Sequence, residues 1–402
     1  MKLSDMKTGY RWFWFFIFVA AAIKFSLFYY IYTVIPLNFR EQDSPVYLQG
    51  AESIWNFYLH PEQGLEHNNQ AMPGYPLFLS LCLYGFKLAI HHVIFIQVFL
   101  NFVAAFVVSR IARAMNPDWA PVAAIIVLLD FPLTVYSQLI MTEAVYMVAL
   151  SCFILFFHRY LVKPSYRRLI FAVMTMVLCV YIRPVTCYLA WPVAAFILWF
   201  RPAGSWQKNL VHALLVIFIF YGACLPWQYR NLQRYGDPRM SRIADYTLER
   251  HSFFKDTAKM KKISALKNTP DFVYYPFAFL RNARELLLTP GSAKSSTLCM
   301  SWMIFGKVFG YLFLFFWVPG FVMGMIRRKN DSRYSFLILI FLYFLFATIG
   351  GVGWTVTSRF RISMLPAIAV ISTAGWFLIQ SWWREKGRIL WRDRYRLLKQ
   401  KV

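Results

Sequence analysis

Long apolar runs broken by short polar stretches cover nearly the whole chain. They lie at roughly 12–35, 92–112, 119–136, 140–160, 168–182, 185–200, 209–227, 301–326, 334–352 and 362–383. Many approach the ~20 residues that a helix needs to cross a bilayer. No series of short alternating strands appears, as a membrane β-barrel would require. The pattern predicts an all-α polytopic membrane protein with about ten transmembrane helices. The first run is too long for a signal-peptide core and reads as a retained span. No internal repeat is visible, which disfavours the commoner transporter plans.

Lys and Arg in short loops set the expected orientation. Lys2, Lys7 and Arg11 precede the first run; Arg110 and Arg113 lie where the second run gives way to the loop at 110–118. Arg159, Lys163, Arg167 and Arg168 sit in one later loop, residues 327–333 read "RRKNDSR", and the tail is basic. All fall on the inner side if 73–91, "MPGYPLFLSLCLYGFKLAI" after its flanking Gln-Ala, lies along the outer interface rather than crossing. The chain then divides into four parts. Residues 1–227 form a transmembrane module whose outer loop, 36–91, holds juxtamembrane helices; 228–300 form a second outer segment. Residues 301–383 are the last transmembrane helices, and 384–402 a basic inner tail with Trp anchors, suited to anionic lipid. Within 228–300, "DFVYYPFAFLRNARELLL" predicts an amphipathic helix touching the membrane surface.

Composition agrees. Hydrophobic residues make up 59% of the 402 and charged residues only 15%, against roughly 25% in soluble domains. The formal net charge of +25 suggests nucleic acid at first glance, but its concentration in loops and tail is the membrane-orientation pattern instead, so no nucleic acid partner is expected. The cysteines, Cys82, Cys152, Cys179, Cys187, Cys224 and Cys299, form no CxxC pair, and five lie in apolar segments as small core residues.

Ionisable residues from separate segments collect at the outer face: Asp43 after the first span, Glu143 at the start of the fourth, Arg183 after the fifth, Arg230 after the seventh, and Arg359 and Arg361 before the tenth. Charges at a membrane edge are expensive and mark function. An ionised Asp accepts the proton of an attacking hydroxyl, and arginines hold a phosphate that gains charge as it leaves. Each residue also has a structural reading. Asp43, with Pro45 two residues on, fits a helix N-cap, and capping is the better reading from pattern alone. Glu143 suits a helix first turn. The arginines suit headgroup anchoring. The convergence favours a site.

Lys24 and Asp130, both in spans, are candidates to pair, with snorkelling of Lys24 as the alternative. His60, Glu62, Glu66 and His67 are close in sequence but match no strong metal motif, and a solvated loop is the preferred reading. No cofactor is expected, with a divalent metal left open. Walker, GxSxG and Rossmann signatures are missing, against nucleotide-driven transport and serine hydrolysis.

Five motifs in order carry a family resemblance: Asp43-Ser44-Pro45-Val46-Tyr47 with Ala51; Pro73-Gly74-Tyr75-Pro76-Leu77-Phe78-Leu79; Thr142-Glu143; Pro226-Trp227-Gln228-Tyr229-Arg230-Asn231 with Gly236; and Ser358-Arg359-Phe360-Arg361 with Pro366. Together they resemble the integral-membrane glycosyltransferases of the GT-C superfamily, in the branch of bacterial protein-mannosyltransferase-like and aminoarabinose-transferase-like enzymes. Two positions depart: Ala71 and Met72 stand where the family often has a basic residue, and Ser363 where it often has Pro.

The resemblance implies inverting transfer of a sugar from a polyprenyl-phosphate donor to a glycan, lipid or protein acceptor of the cell envelope, at the outer (periplasmic) face of the inner (plasma) membrane. It implies Asp43 as general base, Glu143 as a second acidic site residue, Arg230, Arg359 and Arg361 at the donor phosphate, and Tyr47 and Tyr75 lining the sugar pocket. Arg183 joins the phosphate contacts by its place at the same face. Two rivals stay open: a transporter or flippase for a phosphorylated lipid, and a polymerase or ligase of polyprenyl-linked glycans. The first should carry charges along a path to the inner face; the second lacks the Asp43 motif.

Overall fold

Residues 3–34, 39–40, 43–63, 71–242, 252–263, 269–289, 300–326, 331–353 and 357–399 are described by the structure, a computed structural model. Glu41, Glu66, His67 and Cys299 lie outside the described residues, as do the side chains beyond Arg384. Every regular element among the described residues is helical. Seven of these helices are long and apolar enough to cross a membrane, an all-α multi-pass architecture.

The first, α1 (Leu3–Val34), buries Ala20, Lys24, Leu27 and Ile31 among its described side chains, at the four-three-four spacing of one helix face. That face meets α4 (Ile90–Met115) and α5 (Trp119–Leu129). Trp12, Trp14, Phe15, Phe18 and Tyr29 point outward, as a lipid-facing helix requires.

Between α1 and α4 lie α2 (Ser44–Leu59), α3 (Gly74–Ser80) and a π-helical turn (Leu81–Gly85). Together α3 and the turn span about 18 Å, against the ~30 Å of a hydrocarbon core. Glycine lets α3 approach α8 (Tyr166–Ile182): a Cβ on Gly74 would stand 2.7 Å from the Tyr181 carbonyl oxygen.

Three expected spans are not among these seven. The run 119–136 breaks at Asp130, whose extended ψ of 115° ends α5 and starts α6 (Phe131–Tyr136). Asp130 Oδ1 accepts from the Leu133 amide at 3.0 Å, capping α6, and Pro132 suits its first turn. The run 168–182 is the 17-residue α8, with Arg167 and Arg168 in its first turn. The run 185–200 starts as a 3-10 turn (Pro184–Thr186) and continues as the 11-residue α9 (Ala190–Phe200).

The rest comprises α7 (Glu143–Val162), α10 (Trp206–Tyr235), α11 (Phe253–Ile263), α12 (Asp271–Leu288), α13 (Met300–Ile326), α14 (Ser332–Val352), a 3-10 segment (Ser358–Met364) and α15 (Leu365–Lys399). The core sits where α4, α7 and α15 meet. In lipid such packing gains little from the hydrophobic effect, so close approach and polar contacts carry it. Gly375 of α15 and Gly320 of α13 show the close approach: a Cβ on Gly375 would stand 1.8 Å from the Gly320 carbonyl oxygen. Short turns fold consecutive helices back antiparallel, which brings the chain near positions 43, 143, 183 and 359 to one end of the bundle.

Candidate active site

Four helix ends supply the charged centre. Asp43 immediately precedes α2, Glu143 is the first residue of α7, Arg183 follows α8, and Arg359 is second in the 3-10 segment. Arg359 bridges the two carboxylates: its Nε donates to Glu143 Oε1, and its Nη2 lies 3.6 Å from Asp43 Oδ2. Arg183 Nη1 donates to the same Glu143 oxygen at 3.4 Å. Rings hold both guanidiniums in place, Tyr136 under Arg359 at 5.3 Å and Tyr146 under Arg183 at 5.5 Å. Such desolvated ring contacts contribute roughly 1–2 kcal/mol each.

The carboxylates differ in environment. Glu143 is fully buried, while the Asp43 side chain is 40% exposed. Glu143 therefore fixes the arginines, and Asp43 is the carboxylate that a ligand from solvent can reach. Glu143 Oε2 makes no hydrogen bond among the described residues, leaving a buried acceptor for a ligand hydroxyl or a water. Asp43 occupies the N-cap position of α2, but its side chain makes no capping hydrogen bond. The capping reading thus loses its physical basis, and the carboxylate faces Arg359 instead.

Tyr47, one turn beyond Asp43, feels Asp43, Arg359, Glu143 and Arg183 together. Burial, reinforced by the Asp43 charge, pushes its phenol well above the usual tyrosine range, so it stays neutral and able to donate. Its ring meets Tyr75 edge-on, with centroids 5.1 Å apart. Tyr75 is buried, which likewise raises its phenol, and its hydroxyl donates to Gln97 Oε1 at 2.5 Å.

Gln97 is one of several positioning residues that the sequence reading did not single out. Its Nε2 also donates to the carbonyls of Leu139 (2.6 Å) and Ser137 (3.3 Å). Asn101, one turn along α4, donates to Ser137 Oγ at 2.8 Å. Ser44 Oγ donates to the Ile140 carbonyl at 3.0 Å, and the Ile140 amide donates to the Phe39 carbonyl at 2.8 Å. These bonds fasten the segment just before Glu143 to the one just before Asp43. The legible signal was a Gln and an Asn four residues apart in the otherwise apolar stretch 93–108, one above the other on the same face.

The two other expected phosphate-binding arginines, Arg361 and Arg230, make contacts of their own. Arg361 is buried, and its Nη2 donates to Asp130 Oδ2 at 3.0 Å. In a 3-10 helix residues two apart point about 240° around the axis from each other, so Arg359 and Arg361 cannot share a target. Arg361 directs its donors to Asp130 and to backbone carbonyls, not to the exposed carboxylate of Asp43. The same pair alters the expected Lys24–Asp130 contact: Lys24 Nζ donates to Thr134 Oγ1 at 2.7 Å, and Asp130 acts on it electrostatically while bonding Arg361. Arg230, at the last turns of α10, lies over the rings of Trp227 (4.8 Å) and Tyr235 (5.2 Å) and donates to Asn231 Oδ1.

The centre brings together Asp43, Tyr47, Tyr75, Glu143, Arg183 and Arg359. Chemically it offers a reachable base, a rigid pair of guanidiniums for an oxyanion, and neutral phenols. No group of three or more His, Cys, Asp or Glu suited to a metal occurs among the described residues; His60 and Glu62 approach to 3.5 Å on an exposed surface. A scan against protein-family models finds no match, and a search of the curated proteins finds none either.

Proposed function

We propose that this chain is a membrane glycosyltransferase that moves a sugar from a polyprenyl-phosphate donor to an envelope acceptor, a glycan, lipid or protein, with inversion. The observation that carries the reading is the division between the carboxylates: exposed Asp43 and buried Glu143, joined by one arginine. The acceptor hydroxyl attacks the anomeric carbon from the face opposite the phosphate. Its proton passes to Asp43, and the electron pair of the breaking C–O bond leaves with the polyprenyl phosphate. Arg359 and Arg183 stabilise that leaving phosphate, held by Glu143 so that little reorganisation is needed. Donor phosphate competes with Asp43 for Arg359, which frees the base when the donor is seated. Arg230, over the rings of Trp227 and Tyr235, is the third guanidinium that this reading assigns to the donor phosphate.

In this reading the chain crosses about ten times, counting α5 with α6, α8 and α9 alongside the seven longer helices. The centre then faces the periplasm, opposite the basic loops, in the inner membrane. The order of the five motifs supports the reading as well.

The test is transfer of radiolabelled sugar from polyprenyl-phosphate donors to a crude envelope fraction, by purified protein in lipid. Wild type is expected to transfer label, and folded Asp43→Asn to lose at least about a hundredfold. Equal transfer by both removes Asp43 from the mechanism. No transfer by wild type with any donor shifts the reading to transport.

A further inference from the structure

Arg361 gathers four elements at one guanidinium. Nη2 donates to Asp130 Oδ2 at 3.0 Å, in the break between α5 and α6. Nη1 donates to the carbonyls of Leu287 (2.9 Å) and Thr289 (3.1 Å), at the C-terminal end of α12. The ring of Trp317, from α13, lies 5.8 Å from the guanidinium carbon. The last carbonyls of a helix lack partners within it, and a cation there also meets the negative end of the helix dipole. The planar fork serves the carboxylate and both carbonyls at once, which a lysine ammonium does not reproduce.

A second anchor lies about 9 Å back along α12, where buried Asn282 Nδ2 donates to the Gly353 carbonyl at 3.0 Å. Gly353 closes α14, and Arg361 belongs to the 3-10 segment that follows. The two anchors therefore bracket the stretch carrying Arg359. One face of α12 (Tyr274, Ala278, Asn282, Leu286) is buried; the other presents Phe272, Phe277 and Leu280 outward.

We infer that Arg361, with Asp130 and Asn282, is a positioning latch: it ties α12 of the second outer segment to the turn that aims Arg359 at Asp43 and Glu143. The seating of α12 then sets the geometry of the charged centre without Arg361 touching substrate. The kinetic consequence rests on the glycosyl-transfer reading; the mechanical one does not.

The test uses the full chain in lipid nanodiscs and two readouts. In hydrogen–deuterium exchange, Arg361→Lys and, independently, Asn282→Ala should speed exchange across 271–288 by at least about tenfold while leaving 44–59 unchanged. In transfer assays with polyprenyl-phosphate glucose, mannose and aminoarabinose tried in turn, both variants should lower kcat by about ten- to a hundredfold with donor KM within about twofold. Asp130→Glu, which keeps the charge, should recover most of the rate lost in Asp130→Asn. Exchange across 271–288 at the wild-type rate in both variants overturns the latch. So does a raised donor KM with kcat kept in Arg361→Lys, which makes Arg361 a phosphate contact after all. If wild type transfers none of the three sugars, the transfer reading falls, and the exchange result alone still upholds or overturns the latch.

Discussion

Two ionic clusters in this molecule use the same chemistry for opposite ends. Asp43, Glu143, Arg183 and Arg359 have one carboxylate open to solvent, whereas Asp130 and Arg361, with Lys24 and Thr134 close by, are sealed, the pair itself at 1% and 2% side-chain exposure. In the sealed cluster the carboxylate oxygens are both used, one capping α6 and one holding Arg361. In the open one Asp43 spends nothing on its own helix and meets its arginine only at 3.6 Å. Residue type is therefore a poor guide to role; what separates an open carboxylate from a structural one is unspent hydrogen-bonding capacity within reach of water.

The largest expected effects oppose the clusters directly. Asp130→Leu strands the Arg361 charge in a low-dielectric interior and should destabilise the protein by about 3–5 kcal/mol. The check is the thermal or denaturant midpoint in detergent. Asp43→Asn should leave that midpoint close to wild type, because a half-exposed ion pair contributes only about 0–1 kcal/mol, while transfer falls as set out above. Reversal of this pattern, with a stable Asp130→Leu and an unfolded Asp43→Asn, breaks the comparison.

Glu143→Gln should fall between the two. Glu143 is fully buried, yet its partners Arg183 and Arg359 keep 12% and 19% side-chain exposure and so reach water when the carboxylate is gone. A loss of about 1–3 kcal/mol is expected. Transfer should fall too, because Arg359 released from Glu143 is free to close on Asp43 and block the base. Raised donor KM together with lowered kcat is the signature to look for; a drop in stability without either makes Glu143 purely structural.

Much of this contrast was hidden in the sequence. Apolar runs with short basic turns made the ends of helices legible, and so the gathering of Asp43, Glu143, Arg183 and Arg359 at one end, since short turns force antiparallel neighbours. The break at Asp130 carried a readable signal, an Asp two residues before Pro132, but an unbroken apolar run outweighed it. Arg361 was not legible: its spacing from Arg359 says that the two are near in sequence, and only the 3-10 geometry sends them apart. The polar partners inside α4 were hardest, because one Gln among apolar residues looks the same whether it fills space or holds three bonds.

That last residue gives the smallest and most discriminating test. Gln97 accepts from Tyr75 and donates to the carbonyls of Ser137 and Leu139, so it touches neither cluster yet supports the open one. Gln97→Leu removes the acceptor of the Tyr75 phenol and the side-chain donor to two buried carbonyls, and a cost of about 1–2 kcal/mol is expected. The open cluster should feel it through the 137–142 segment that leads into Glu143, with transfer reduced by about tenfold. The Asp130–Arg361 pair should not, so exchange across 271–288 should stay at the wild-type rate. Faster exchange there after Gln97→Leu makes the two clusters one cooperative unit, and the distinction between a reactive and a sealed carboxylate then lies in their exposure alone, not in separate frameworks.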